Sequence, residues 1–304
     1  MSFTTEIKNE VSKIECSKSE YIAELSAIFS NNIELKDNSF LISTENSSIA
    51  RRIFSVIKSI YNEIPNITVR KRFNFNKSNL YILKYKNMNL LEDLSVGNDN
   101  NIPSRYIYED IEDKKAYLRG IFLSSGSISD PKKLNYHLEF FIKNKKRSEF
   151  VNDLLNDFNL NSKIISRSKG YMVYLKESEL ISDFLKIIRA YDACLYYEDI
   201  RIYKDHVNMT NRLNNCEQAN VEKTINSANK HIEYINILKE YGCIDLLDEK
   251  SKVVVEYRLK YPESSLLELS EIIKYETDIS ISKSGLNHKF KAIKDMAERV
   301  SSND

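Results

Sequence analysis

An internal repeat constrains the fold of this chain more than any other feature of its sequence. Residues 23–35 read AELSAIFSNNIEL and residues 116–128 read AYLRGIFLSSGSI, with apolar residues at matching helical positions and a shared Ile-Phe pair. Each stretch ends in small or polar residues. The patterns that follow are typical of strands and a helix, so each copy reads helix–strand–helix–strand–strand. Two copies of one α+β unit predict a pseudo-twofold domain whose first helices meet at the axis.

The rest of the chain divides around these two copies. Residues 86–113 are rich in Asn and Asp and contain Gly97 and Pro103, which indicates a linker. Strand patterns stop near Glu177, and helical periodicity continues to the end of the chain. The predicted organisation is a first half 1–85, a linker 86–113, a second half 114–190, a helical connector 191–249 and an all-α domain 250–304.

Bulk composition excludes several classes of protein. Hydrophobic residues make up 42% and charged residues 29% of the 304 residues, as in ordinary globular proteins, and no apolar run reaches bilayer-spanning length. The N-terminus lacks the features of a signal peptide, so a cytoplasmic protein without membrane association is expected. The four cysteines and four histidines are dispersed, and this predicts no disulfide framework, no metal site and no cofactor.

The C-terminal part has a pattern typical of a helix-turn-helix. One apolar helical stripe runs through 266–273, and a second runs through 286–296 after Ser282, a favourable N-cap. A helix over 253–260 completes a trio, which predicts a helix-turn-helix from about Ser265 to Glu298.

The last predicted helix has a basic face. Residues 282–294 contain four lysines, one histidine and no acid, although the net charge of the chain is only +1. In helix-turn-helix proteins the N-terminal end of this helix enters the major groove, where Asn287 is suited to an adenine edge and lysines to guanine or phosphate. The predicted DNA-contacting residues are Ser282, Lys283, Ser284, Asn287, His288, Lys289 and Lys291.

Other readings of these basic segments stay open. A lysine-rich face also suits a solvated helix in an interaction module, and the connection KYETDIS at 274–280 exceeds the usual tight turn. Two further basic stretches, Arg70-Lys71-Arg72 and Lys143 with Lys145-Lys146-Arg147, fit either a second DNA surface or solvated ends of strands and helices.

Five segments together resemble the WhiA family of bacterial sporulation and cell-division regulators. They are AYLRGIFLSSGSISDP, YHLEF, NRLNNCEQANVEKTINSA, YPESSLLELSEI and SKSGLNHKFKAI, in this order over nearly the full chain. The resemblance implies a LAGLIDADG homing-endonuclease-like domain followed by a helix-turn-helix domain, and transcriptional control tied to cell division, chromosome segregation or sporulation. It implies double-stranded DNA as partner, a nucleoid location, and other transcription or division proteins as further candidate partners.

The resemblance also bears on catalysis. In LAGLIDADG nucleases the last acidic residue of each paired helix helps to hold a divalent cation. Aligning the motif with residues 118–126 places Ser125 at that position, and the repeat places Asn32 at its equivalent. Mg²⁺ is held through carboxylates, which Asn and Ser lack, while Glu34 and Asp130 lie past the helix ends.

The chain is therefore predicted not to be an enzyme. Its alternatives are a metal-dependent DNA endonuclease and a protein-interaction component of the division machinery. The glycines of the second repeat are expected to serve packing, Gly120 in a close contact and Gly126 as a helix C-cap.

Overall fold

The computed structural model describes residues 2–36, 38–71, 79–97 and 102–302. The chain forms two compact units, Met1–Lys204 and Asp205–Asp304. Within the described residues, no helix is both long enough and apolar enough to cross a membrane.

The first unit contains two copies of one arrangement of helices and strands. The first copy is preceded by α1 (Phe3–Val11) and comprises α2 (Lys18–Asn32), β1 (Ile33–Lys36), β2 (Ser39–Thr44), α3 (Ser47–Tyr61), β3 (Asn66–Lys71) and β4 (Asn79–Tyr85). After the short α4 (Asn89–Asp93), the second copy comprises α5 (Ile111–Ser125), β5 (Gly126–Ile128), β6 (Leu138–Ile142), α6 (Lys145–Asn156), β7 (Lys163–Arg167) and β8 (Gly170–Leu175). Helices α7 (Ser178–Ile187) and α8 (Tyr191–Glu240) follow.

The two sheets have the same topology. Each is antiparallel and four-stranded, in the orders β1-β2-β4-β3 and β5-β6-β8-β7. This confirms the predicted α+β class and its repeat. The predicted order within each copy was wrong in one respect, because it had one strand between the first and second helices. The structure has two, and the strand that was not predicted begins directly after the first helix. The two additional strands are β1, with four residues, and β5, with three. No turn separates them from the preceding helix, so their sequences look like the end of that helix.

Matching positions of the repeat do matching work in the core. Phe29 of α2 packs against Phe40 of β2, with ring centroids 5.8 Å apart. Its equivalent, Phe122 of α5, packs edge-on against Phe184 of α7 at the same distance, and Phe184 also contacts Phe140 of β6. The shared phenylalanine therefore anchors each helix in the core, and burial of such aromatic rings is a main source of core stability.

Helices α2 and α5 approach each other closely where the sequence provides small residues. A Cβ atom added to Gly120 of α5 would lie 2.7 Å from the Cβ of Ala27 and closer still to the backbone oxygen of Glu24, both on α2. Real Cβ atoms do not make such contacts. The predicted role of Gly120 in a close contact is confirmed.

Gly126 is the C-cap residue of α5, as predicted, and its backbone N–H donates to the carbonyl oxygen of Phe122, but its conformation is not that of a usual C-cap glycine. Its φ of −77° and ψ of 146° are extended, so it does not end the helix in the left-handed conformation that favours a C-cap glycine. A Cβ atom here would collide with the ring of Phe122 and lie 2.8 Å from the Cα of that residue. The absence of a side chain lets the chain pass directly from α5 into β5.

A buried charge cluster lies beside the contact between α2 and α5. The Glu24 carboxylate, 1% exposed, accepts hydrogen bonds from Arg119 Nε at 2.6 Å and Arg52 Nη2 at 2.9 Å. Arg52 Nη1 also donates to the carbonyl oxygens of Ser12 and Ile14. Because buried charges must be paired, Glu24 joins both repeats and the segment before α2 in one network.

The described residues of the second unit form helices joined by loops and contain no strand. It contains the C-terminal part of α8, α9 (Glu249–Lys260), α10 (Leu266–Glu276) and α11 (Lys283–Ser301). Its core includes Ile235 and Leu238 of α8 together with Leu269, Ile273 and Phe290. A segment that the sequence places in the connector therefore supplies part of this core.

Candidate nucleic-acid interface

The two positions at which a LAGLIDADG nuclease needs carboxylates lie at equivalent places in the fold. Asn32 is the last residue of α2, directly before β1, and Ser125 is the last residue of α5, directly before β5. The Ser125 hydroxyl donates to the carbonyl oxygen of Ile121 in its own helix at 3.2 Å. Both side chains are neutral, and that of Ser125 is used within the helix.

These residues do not fit a divalent cation. Glu34 lies in β1 with an exposed side chain, and the Asp130 carboxylate accepts the backbone N–H of Lys132 at 2.9 Å. Across the described ranges, no group of three or more His, Cys, Asp or Glu side chains is arranged to hold a metal ion. Hard cations such as Mg²⁺ need carboxylate oxygens, so the donor set here is unsuitable for one.

The basic stretches of the first unit divide into exposed and buried parts. Arg70 and Lys71 are exposed on β3, whereas Arg72 lies outside the described residues. Arg147 is 5% exposed, and its Nη1 donates to the carbonyl oxygen of Ser30 on α2. Burial lowers the pKa of Arg147. Arg147 therefore joins α6 to α2 and is not available as a surface cation.

Helix α11 begins at a well-defined point. The Ser282 hydroxyl accepts the backbone N–H of Gly285 at 3.2 Å, as an N-cap should. The preceding loop is held by Ser270 of α10, whose hydroxyl donates to the carbonyl oxygen of Ile281 at 2.5 Å. These contacts fix the position of the N-terminal end of α11 relative to α10.

One face of α11 is anchored in the core of the second unit. Leu286, Phe290 and Ile293 of the predicted stripe are buried, whereas Met296 is half-buried and Ala297 takes the next core position.

The ring of Phe290 is stacked on that of His231 from α8. The two rings are 3.8 Å apart and nearly parallel. The Arg258 guanidinium also lies over the Phe290 ring, 5.3 Å from its centroid. Burial, with a further contribution from Arg258, lowers the pKa of His231 to about 4, so this ring is neutral near pH 7. A neutral imidazole stacks here without adding a second buried charge.

The opposite face of α11 carries most of the predicted DNA-contacting side chains. Those that are exposed at or near its N-terminal end are Ser282, Lys283, Ser284, Asn287, His288 and Lys291. Lys289 differs, because its ammonium group binds the Asp248 carboxylate at 2.7 Å, just before α9. This contact lowers the pKa of Asp248. Lys289 therefore has a partner within the unit. The other six residues form a basic face that contains no acid in the first three turns of α11.

Comparison with known proteins relates every part of this architecture to one family. Residues 18–96 match the WhiA N-terminal LAGLIDADG-like domain, residues 114–207 the WhiA LAGLIDADG-like domain, and residues 210–297 the WhiA C-terminal HTH domain. Two curated relatives, from Staphylococcus carnosus and Staphylococcus saprophyticus, are each 39% identical to this chain over all of it and over 99% of their own length. Both are named probable cell division protein WhiA.

Solved structures agree with the sequence comparison. The crystal structure of full-length WhiA from Thermatoga maritima has a TM-score of 0.61 and 26% identity, covering 98% of this chain and 99% of that one. The crystal structure of an N-terminal LAGLIDADG domain of WhiA has a TM-score of 0.50 at 23% identity, covering 62% of this chain and 90% of its own, and it shows the fold alone. The resemblance predicted from the five sequence segments is confirmed.

Proposed function

Because this chain belongs to the WhiA family, we propose that it is a sequence-specific DNA-binding regulator of cell division whose α11 reads the major groove. The observation that carries the proposal is the exposed, acid-free basic face at the N-terminal end of α11, opposite a buried apolar face. Its curated relatives are named as cell division proteins, which supports the link to division. In this proposal the protein associates with the nucleoid, because its partner is chromosomal DNA.

In this proposal the exposed side chains of α11 have two roles. Asn287 is suited to an adenine edge, because its amide offers one donor and one acceptor, and a good bidentate contact discriminates by about 1–3 kcal/mol. Lys283 and Lys291 supply positive charge to phosphates or guanine. Lys289 contributes mainly through its ion pair with Asp248, so a test of base reading is cleaner with Asn287 alone.

Recognition of bases by α11 can be tested with an operator that the full-length protein selects from a random duplex library. The variant Asn287→Ala is expected to lower the preference for that operator over a scrambled duplex about 5- to 150-fold, the equivalent of the bidentate contact. The control is Lys294→Ala, which changes a residue of the same helix that is paired with Glu298 one turn further on. This variant should keep the preference for the operator. An unchanged preference in Asn287→Ala would show that α11 is not the reading helix.

We further propose that the LAGLIDADG-like unit has lost DNA cleavage. The neutral Asn32 and Ser125 at the paired helix ends support this, because nothing there neutralises a bound cation. Supercoiled and linear plasmids incubated with the protein and Mg²⁺ or Mn²⁺ are expected to stay intact. A metal-dependent cut that maps to one site would contradict the proposal and favour an endonuclease.

A further inference from the structure

A cavity of about 370 Å³ in the second unit has a lining that favours an anion. It lies where α8 meets the N-terminal ends of α10 and α11. Its lining residues are Lys223, Thr224, Ser227, Ala228, Arg258, Ser264, Ser265, Leu266, Leu267 and Lys283. Three of these side chains are cationic, four carry hydroxyl groups and none is acidic. Only Lys283 of the three cations belongs to the predicted basic face of α11, because Lys223 and Arg258 lie far from it along the chain.

Arg258 is a buried cation in the lining of this cavity. It is 1% exposed, and its Nη1 donates to the carbonyl oxygens of Ser264 at 2.6 Å and Tyr261 at 3.4 Å. Its Nε is buried without a hydrogen-bond partner among the described residues. These partners are neutral, and burial lowers the pKa of Arg258. A buried cation is costly unless an anion compensates it, and an anion in the adjoining cavity would do so.

The first turn of α10 adds hydrogen-bond donors to the cavity. The N–H groups of the first turn of a helix have no acceptor within the helix, and they carry the positive end of its dipole. That of Glu268 is satisfied by the Ser265 hydroxyl at 3.2 Å, whereas those of Leu266 and Leu267 belong to residues that line the cavity. The Glu268 carboxylate, in the same turn, accepts the backbone N–H of Ser265 at 2.7 Å.

We propose that this cavity binds a phosphate group through Lys223, Lys283 and the first turn of α10, above the buried Arg258. Phosphate oxygens accept hydrogen bonds from lysine ammonium groups, hydroxyl groups and the N–H groups of a helix's first turn. The phosphate comes either from the DNA backbone or from a free phosphate compound. Its origin in DNA rests on the proposed function, whereas the preference for an oxyanion rests on the cavity alone.

The test uses the full-length chain and two exposed lysines of α8. Lys223→Ala removes a cation from the cavity, and Lys239→Ala makes the same charge change on the same helix at a residue outside the lining. Inorganic phosphate is titrated calorimetrically at low ionic strength. Duplex DNA is titrated at several salt concentrations, which gives the slope of log affinity against log salt.

Two results support the proposal, and they distinguish the sources of phosphate. If DNA supplies it, Lys223→Ala reduces the salt slope by about 0.9, the value for one lost phosphate contact, for operator and scrambled duplex alike. If a free compound supplies it, Lys223→Ala weakens binding of inorganic phosphate at least fivefold and leaves the salt slope unchanged. Lys239→Ala changes neither quantity.

The proposal is overturned if Lys223→Ala behaves like Lys239→Ala in both titrations. A wild-type protein that binds no duplex at any salt concentration would instead refute the proposed function. The titration with inorganic phosphate would then decide alone whether the cavity is an oxyanion site.

Discussion

Replacing Gly120 by alanine tests the close contact between α2 and α5 directly. In an isolated helix this change is favourable by about 1 kcal/mol, because alanine is the better helix former. Here the new Cβ would lie 2.7 Å from the Cβ of Ala27 and closer still to the backbone oxygen of Glu24. Ordinary contact begins at 3.4 Å, so the clash with Ala27 alone requires a separation of roughly 0.7 Å across a tightly packed surface, and the clash with the Glu24 oxygen requires more.

The expected result is a net loss of stability in the first unit. Overpacking costs about 1–3 kcal/mol, and the upper end applies because one of the clashing atoms belongs to the backbone. After the gain in helix propensity, the Gly120→Ala variant should lose about 2 kcal/mol, which lowers the melting temperature of a unit of this size by about 4–8 °C. Differential scanning calorimetry of the full chain measures the shift.

Ser124→Ala serves as the control for Gly120→Ala. Ser124 is one turn further along α5, and its hydroxyl donates to the Ile121 carbonyl oxygen of the same helix at 3.0 Å. Its loss should change stability by no more than about 0.5 kcal/mol. A Gly120→Ala protein that is as stable as the wild type, or more stable, would refute the reasoning, since helix propensity would then outweigh the contact.

Three further substitutions test buried polar groups. Glu24→Gln is expected to destabilise the first unit in urea by about 3–5 kcal/mol, because two buried guanidinium groups lose their carboxylate; a loss below about 1 kcal/mol would contradict this pairing. The pKa of His231 is about 4 in the folded chain and near 6.5 when unfolded, so the stability it contributes is complete above about pH 6.5 and is lost as the pH falls towards 4. His231→Phe, which keeps a ring against Phe290, should flatten this part of the pH profile of unfolding, and an unchanged profile would exclude His231 as its source. Arg147→Met leaves the Ser30 carbonyl oxygen without its donor, and it should lower the free energy of unfolding by about 1–3 kcal/mol without changing DNA affinity. Weaker DNA binding at unchanged stability would instead indicate that Arg147 contacts DNA.

The repeat was predictable because its packing requirements are written in residue size. Small residues at Ala27 and Gly120 and aromatic residues at Phe29 and Phe122 recur at one helical spacing, and each keeps its role in the structure. Strands β1 and β5 were not predictable in the same way. They are too short to show the alternation that identifies a strand. Each also begins at the residue after the helix, with no intervening turn to mark the change.

The basic residues show a different limit. A sequence places Arg147 and Lys289 among other cations, but only tertiary packing determines whether a long side chain ends in water or on a partner. Arg147 ends on the Ser30 carbonyl oxygen, and Lys289 ends on Asp248. The exposure of the other predicted residues of α11 followed from the amphipathic period of that helix, which is a local property.

The long helix α8 also differs along its own length. Residues 205–223 are all exposed, whereas Ala228, Ile235 and Leu238 further along are buried. A helical segment without tertiary packing is held by its own hydrogen bonds and by side-chain pairs such as Gln218 with Glu222, and such segments are marginally stable in water. Backbone amides in this segment should therefore exchange with deuterium much faster than those at either end, so that one continuous helix has three zones of protection.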